Sequence, residues 1–312
     1  MKEFLSEKIK DISVRKGMSV NEVVNEMRDG GGFTAKKLAA GVGILREMLK
    51  DKNCVKFLSF PACIVATGTR GVIRDMVRLG WFDAVLTTCG TVDHDLARVW
   101  ADYYHGNFDM DDAALHRKGI NRLGNILVPN ESYGTVLEEK VPPVLERLWD
   151  GGLRSISTRD LLWEFGSGLS DEDSILYWAA RNKIPVFVPG ITDGAFGYQI
   201  WSFWQEHKEL SIDLFQDEKY MSDMIFQADR TGALIVGGGI SKHHTMWWNQ
   251  FKGGLDYAVY ITTAVEYDGS LSGARIREGM SWGKVSDKAS EITIDGDATV
   301  YLPLIMSCIL DD

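Results

Sequence analysis

The chain has 312 residues, of which 45% are hydrophobic and 25% are charged, so it can bury a large core. Its formal charge of -10 argues against a nucleic-acid partner, whose phosphates require clustered lysine and arginine. No apolar run reaches the roughly 20 residues that a membrane helix needs. The four cysteines have no metal-binding spacing and follow no signal peptide, which predicts reduced thiols in the cytoplasm.

The first predicted elements are helices. Ser19 and Glu22 have the spacing of a capping box, and apolar residues recur at helical intervals from Thr34 to Lys50. We therefore expect residues 1–52 to form a helical N-terminal arm.

Short apolar runs then alternate with amphipathic ones. The runs are VKFLSF, DAVLTT, IPVFVPG, SIDLF, ALIVGGG and DYAVYITT. This alternation predicts an α/β fold with a Rossmann-like, mostly parallel sheet and helices on both faces. The stretch 116–152 has mixed signals, with a strand near 125–128 and a helix near 135–149, and is a candidate insertion. Since no composition shift marks a boundary, residues 1–312 are interpreted as a single domain.

Polar or glycine-rich residues follow several of these strands. They are Thr87 to Gly90, Pro189 to Gly194, Gly237 to Gly239, and Thr262 with Thr263. In open α/β sheets the ligand lies at the carboxyl ends of the strands, so these loops should converge on one site.

The triple glycine precedes a helix expected from near Ser241, an arrangement that lets backbone amides approach a diphosphate. A tight strand-to-helix turn is the alternative, because the full dinucleotide fingerprint is absent. Asp193 and Asp297 could accept hydrogen bonds from ribose hydroxyls, although such residues also commonly form turns.

Lys284 follows Trp282 and Gly283. A lysine desolvated against an indole can become a neutral nucleophile of the Schiff-base type, since desolvation disfavours the ammonium form. The alternative is a surface lysine that closes a turn. The Trp282 ring could also hold an alkylammonium by cation–π attraction.

Histidines and acids supply further candidates. Because adjacent helical residues point about 100° apart, at most one of His243 and His244 faces the crevice, and His243 is a candidate general base. The run Asp93-His94-Asp95 could suit a metal, but no other ligand cluster accompanies it, so an acidic lining for a cationic ligand is the preferred interpretation and no metal site is predicted.

Several long motifs resemble deoxyhypusine synthase, in the family's order from about Gly32 to the C-terminus. They are GINRLGNILVPNESY, SILYWAARNKIPVFVPGITDG, GGGISKHH and DYAVYITTAVEYDGSLSGARIREGMSWGK. The resemblance implies that NAD oxidises spermidine and that Lys284 takes up the aminobutyl group as an imine. That group then passes to one lysine of a translation initiation factor precursor. A homotetramer with sites shared across a dimer interface is also implied.

The resemblance assigns residues as well. It makes His243 the base, and places Tyr260, Gly269, Ser270, Glu278 and Trp282 at the amine pocket. The implied cofactor residues are Thr88, Gly90, Asp193, Gly238, Thr263, Ala264, Asp297 and Ala298.

Departures from the eukaryotic pattern keep an alternative open. Tyr198 and Leu271 stand where that pattern has aspartates, Trp247 stands for an asparagine, and Ala62-Cys63 replaces Ser-Asn. Asp93, His94 and Asp268 are candidates to replace the lost carboxylates. A homospermidine synthase-like aminobutyltransferase, with a small amine as acceptor, is therefore the alternative. An idle NAD-binding scaffold would not need the lysine motif, and a sirtuin-like deacylase would need a zinc-binding cysteine quartet.

Overall fold

Eleven strands are formed within residues 7–311, the part of the chain that the computed structural model describes. They are β1 (Cys54–Ser59), β2 (Ala84–Leu86), β3 (Tyr104–His105), β4 (Ile120–Leu123), β5 (Ile126–Pro129), β6 (Ser155–Ile156), β7 (Val186–Phe187), β8 (Ser211–Ile212), β9 (Arg230–Val236), β10 (Leu255–Thr262) and β11 (Val285–Asp295). Six of them form the central sheet in the order β11-β10-β9-β1-β2-β7. Every neighbouring pair in this sheet is parallel, as predicted.

Successive residues of the central strands face two different hydrophobic cores. In β9, Leu234 and Val236 pack into one core, whereas Ala233 and Ile235 pack into the other. Because side chains alternate across a strand, continuous apolar runs are what a sheet covered on both faces requires. The predicted helices on both faces are confirmed.

Twelve helices surround the sheets in the described part of the chain. They are α1 (Val20–Gly30), α2 (Phe33–Lys50), α3 (Thr69–Arg78), α4 (Cys89–Trp100), α5 (Asp112–Arg117), α6 (Gly134–Asp150), α7 (Thr158–Gly168), α8 (Ile175–Arg181), α9 (Ala195–Glu206), α10 (Leu214–Gln227), α11 (Gly239–Asn249) and α12 (Ala298–Leu310). None of these helices is both long and apolar enough to cross a membrane.

The N-terminal helices begin where the sequence predicts. Ser19 accepts a hydrogen bond from the Glu22 amide while Glu22 accepts one from the Ser19 amide, which completes the capping box. α2 buries Leu38, Val42 and Leu45 against the sheet, so it acts as a cover for β10 and β11. The predicted helical arm is corrected in part, because residues 7–19 form no helix; residues 1–6 lie outside the described residues.

Two further expectations are corrected. The run SIDLF forms no strand of the central sheet: Ser211–Ile212 pairs with β6 in a separate two-stranded sheet. The strand stops there because the Asp213 carboxylate accepts the Phe215 and Gln216 amides and starts α10. The stretch 116–152, a candidate insertion, is not a single inserted unit. β4 and β5 form a small antiparallel sheet with β3, but α6 packs into the main core.

Candidate functional site

The carboxyl ends of the six parallel strands lie at one edge of the central sheet. All eight predicted cofactor residues follow these ends: Thr88 and Gly90 after β2, Asp193 after β7, Gly238 after β9, Thr263 and Ala264 after β10, and Asp297 and Ala298 after β11. Ala62 and Cys63 occupy a short 3₁₀ turn after β1. A single edge of the fold therefore brings together residues that are distant in sequence.

Glycines let neighbouring loops at this edge approach closely. A Cβ added at Gly90 would lie 2.9 Å from the Ala62 Cβ, and one at Gly238 would overlap the Ser272 side chain. Gly237 and Gly239 have φ values of +63° and +76°, which side chains rarely adopt. The glycines are thus required by the turn and by the packing of the loops, as the tight-turn interpretation also proposed.

Two helices begin at this edge without a side-chain cap. α4 follows Thr88 and α11 follows Gly238, and neither start has a side-chain hydrogen bond at its N-cap. The first amides of a helix lack partners inside the helix and carry a partial positive charge, so they suit a phosphate. α11 begins at Gly239, slightly before the predicted start near Ser241.

Buried polar side chains donate hydrogen bonds to carbonyl groups of the loop after β10. The Tyr260 hydroxyl and the Thr262 hydroxyl both donate to the Ser272 carbonyl, the latter at 3.0 Å. The Lys242 ammonium donates to the Ala274 carbonyl at 2.8 Å and lies 3.9 Å from the centroid of the Tyr260 ring. Burial lowers the pKa of Lys242 to about 8. Tyr260, predicted to lie near the amine, is completely buried beneath this loop.

Lys284 lies at the start of β11, at the opposite end of the strand from Asp297. It follows a 3₁₀ turn, Ile276–Trp282, and Gly283, whose φ of +68° closes the turn. The Lys284 amide donates to the Gly279 carbonyl at 2.9 Å. Lys284 therefore follows a turn, as the alternative interpretation of this segment expected.

The Lys284 side chain extends toward α11 and lies between two indole rings. Its Nζ is 5.4 Å from the centroid of Trp282 and 5.9 Å from that of Trp247. Since a helix rises about 1.5 Å per residue, this part of α11 is roughly 12 Å along the helix from the glycine turn. Trp282 is 68% exposed, so one chain by itself does not supply the desolvation that was assigned to this ring.

His243 and His244 diverge, as expected for adjacent helical residues. His244 Nε2 lies 3.1 Å from Glu218 Oε1. His243 stacks on Trp247, with ring centroids 5.8 Å apart, and so lies on the lysine's side of the helix. Burial and the nearby Lys284 ammonium lower the pKa of His243, which favours the neutral form that a general base needs.

The other predicted amine-pocket residues lie on the surface between these features. Glu278 is exposed on the 3₁₀ turn before Lys284. Gly269 and Ser270 are exposed in the loop after β10, where the Ser270 amide and hydroxyl donate to Asp268. Asp268 is therefore occupied within its own loop.

The run Asp93-His94-Asp95 is buried inside the fold. Asp93 accepts the amides of Ala195 and Phe196, and Asp95 caps α8 and pairs with Arg70 at 2.7 Å. His94 contacts the Tyr103 hydroxyl at 2.9 Å. The described residues contain no group of three or more His, Cys, Asp or Glu side chains that could hold a metal ion. Direct contact of Asp93 or His94 with an amine stays a prediction, since their partners here belong to the protein.

The remaining departures lie on the surface. Leu271 is 64% exposed and has a φ of +61°, a region that aspartate tolerates better than leucine does. Tyr198 is 58% exposed on α9. The sequence analysis missed Lys242, which is buried beneath the loop after β10. Its position directly before His243 in GGGISKHH could have indicated that it lies near the site.

The fold and site define an α/β protein with polar and glycine-rich loops at the carboxyl edge of a parallel sheet and a lysine beside two indole rings. Residues 22–309 match the family model of deoxyhypusine synthase, and the chain therefore belongs to the deoxyhypusine synthase family. Among its relatives, a "Probable deoxyhypusine synthase" of Picrophilus torridus is 52% identical over 98% of this chain and 97% of its own. One of the same description from Thermoplasma acidophilum is 50% identical, with 98% of each chain covered.

A solved structure shares the fold. An Entamoeba histolytica protein, provisionally described as a deoxyhypusine synthase, superposes with a TM-score of 0.67 over 97% of both chains at 22% identity. That similarity extends from end to end of the chain.

Proposed function

We propose that this enzyme transfers the aminobutyl group of spermidine, through an imine on Lys284, to one lysine of a translation initiation factor precursor, with NAD as cofactor. The observation that carries the proposal is the position of the Lys284 Nζ between Trp282 and Trp247, beside the His243 that stacks on Trp247. An amine flanked by aromatic faces and a neutral imidazole is suited to covalent catalysis. The family and its closely similar relatives favour this reaction over transfer to a small amine.

The carboxyl edge of the sheet has the features that NAD requires. The uncapped starts of α4 and α11 would receive the diphosphate, and the exposed Asp193 would accept hydrogen bonds from ribose hydroxyls. Asp297 caps α12 through the Thr299 amide and hydroxyl, so it would accept a ribose hydroxyl with its remaining lone pairs. A side chain at Gly238 would overlap Ser272, so glycine is needed for the loop after β10 to pack against the start of α11. NAD, when bound, would accept the hydride removed from the amine and would return it to the imine formed on the acceptor lysine.

The chain's own residues would carry out the transfer. The Lys284 Nζ attacks the oxidised carbon and forms a carbon–nitrogen bond, while the rest of the donor leaves as an amine that takes up a proton. His243 would accept the proton that Lys284 loses and pass it to the leaving amine, because its lowered pKa keeps it neutral before the reaction and a ready donor after it. Trp282 and Trp247 would bind the cationic part of the amine by cation–π attraction. Glu278 would supply a negative charge to the amine.

The catalytic lysine and the cofactor residues are distributed over the two ends of the strands. This distribution supports the implied homotetramer, in which a dimer interface would bring the lysine of one copy to the cofactor edge of another. Both indole rings near the lysine are exposed and available for such an interface, Trp282 at 68% and Trp247 at 42%. All four cysteines are free thiols, which suits a reducing cytoplasm.

Labelled spermidine tests this proposal. The enzyme and NAD are incubated with spermidine labelled in its butyl part, together with either the factor precursor or putrescine. We expect the label on a single lysine of the precursor, with little in homospermidine. Label found chiefly in homospermidine would establish the alternative aminobutyltransferase. No transfer to either acceptor, with the precursor folded, would refute both.

A further inference from the structure

Three buried aspartates in this fold accept backbone amides at the start of a neighbouring helix. The pairs are Asp93 with Ala195 and Phe196 of α9, Asp95 with Ile175 and Leu176 of α8, and Asp217 with Thr158 and Arg159 of α7. A buried carboxylate is costly unless hydrogen bonds compensate for its lost water. Each of these aspartates therefore fixes one helix start in place.

Asp93 differs from the other two in what it connects. It lies one turn inside α4, the helix that begins beside Thr88 and Gly90 at the cofactor edge. The helix that it caps, α9, begins directly after Asp193 and Gly194. Its single carboxylate thus joins two loops that approach the proposed cofactor from different strands.

Short hydrogen bonds fix the orientation of the Asp93 carboxylate. Its Oδ2 accepts the Tyr133 hydroxyl at 2.7 Å and the Ala195 amide at 2.9 Å, and its Oδ1 accepts the Phe196 amide at 2.7 Å. A Cβ added at Gly194 would lie 2.7 Å from Oδ2, so the turn lies directly against the carboxylate. Asp93 itself is completely buried.

The capping also decides which helix starts are available to a ligand. The α9 amides are occupied by Asp93, whereas the starts of α4 and α11 have no side-chain cap. Because Asp93 already places negative charge at the start of α9, the diphosphate would bind at the starts of α4 and α11.

We propose that Asp93 is a positioning residue of the cofactor site, which fixes the Asp193 turn against the first turn of α4, and not a ligand of the amine. This inference rests on the proposed use of NAD. It predicts that loss of the Asp93 carboxylate weakens NAD binding. The same loss at another buried aspartate should lower the stability of the fold without weakening NAD binding.

The test compares Asp93→Asn with Asp217→Asn. Both changes replace one carboxylate oxygen by an NH₂ group that cannot accept a hydrogen bond, both sites are buried, and Asp217 caps α7, a helix that carries none of the predicted cofactor residues. NAD affinity is measured by titration calorimetry on the full-length enzyme, with Tm as the measure of folding. We expect Asp93→Asn to weaken NAD binding at least tenfold and Asp217→Asn to change it less than twofold, while both lower Tm.

A milder variant and a second readout keep the test decisive if Asp93→Asn folds poorly. Tyr133→Phe removes one donor to Oδ2 and should weaken NAD binding about threefold with a small change in Tm. Without NAD, hydrogen exchange in residues 190–197 should be faster in both Asp93→Asn and Tyr133→Phe than in Asp217→Asn.

The outcomes separate the two claims. If the wild type binds NAD and Asp93→Asn binds it as Asp217→Asn does, the positioning role is refuted while the proposed function stands. If the wild type does not bind NAD at all, the proposed function fails and this inference fails with it.

Discussion

Buried His94 should make the stability of this enzyme depend on pH in a predictable way. Burial, followed by the nearby Arg98 guanidinium, lowers the pKa of His94 to about 4 from an ordinary value of 6.5. His94 of the unfolded chain therefore becomes protonated below pH 6.5, whereas His94 of the folded protein becomes protonated only near pH 4. Stability from this residue is present above pH 6.5 and declines as the pH falls. At about 1.4 kcal/mol per unit, the loss by pH 4 is about 3 kcal/mol.

Urea unfolding at several pH values from 7 to 4 measures this effect. His94→Gln can still contact the Tyr103 hydroxyl but does not titrate, so its free energy of unfolding should fall less steeply, by about 3 kcal/mol over the range. His105→Gln is the matched control, because it makes the same substitution at an exposed histidine. Parallel curves for the wild type and His94→Gln would show that the buried imidazole titrates normally and would refute the reasoning.

Three further substitutions test the loops and the lysine frame. Gly238→Ala places a methyl group against Ser272 and should weaken NAD binding at least tenfold. Gly43→Ala is the control, because Gly43 has open space around it and NAD affinity should not change. Equal NAD affinities of the two variants would show that the packing of Gly238 against Ser272 does not matter for NAD binding. Trp282→Ala should weaken spermidine binding by about 1 to 2 kcal/mol in calorimetry, and an unchanged affinity would remove the indole from the amine pocket. Leu271→Asn should raise the free energy of unfolding by about 1 kcal/mol, because asparagine tolerates positive φ; a lower value in urea unfolding would contradict this.

Much of the fold follows from local patterns in the sequence. The run ALIV and the run YAVYI are continuously apolar, and only a strand with cores on both sides uses such a run fully. The run SIDLF looks similar, but Asp213 caps a helix within it, and a capping aspartate cannot be told from a turn residue without its partners.

The candidate site is predictable in part. Parallel strands place their ends at one edge, so the residues after β2, β9 and β10 could be grouped from the sequence. The burial of Asp93 could not, because the amides that satisfy it come from a loop about 100 residues away. Nor could spacing reveal that Trp247 lies beside Lys284, since α11 and the 3₁₀ turn meet only through tertiary packing.

The covalent role of Lys284 is the central claim, and borohydride reduction tests it most directly. The wild type and Lys284→Ala are reduced in the presence of NAD and spermidine, digested and mapped by mass spectrometry. We predict an aminobutyl adduct on Lys284 in the wild type and no adduct in the variant. An adduct on another lysine, or one that persists in Lys284→Ala, would contradict the mechanism.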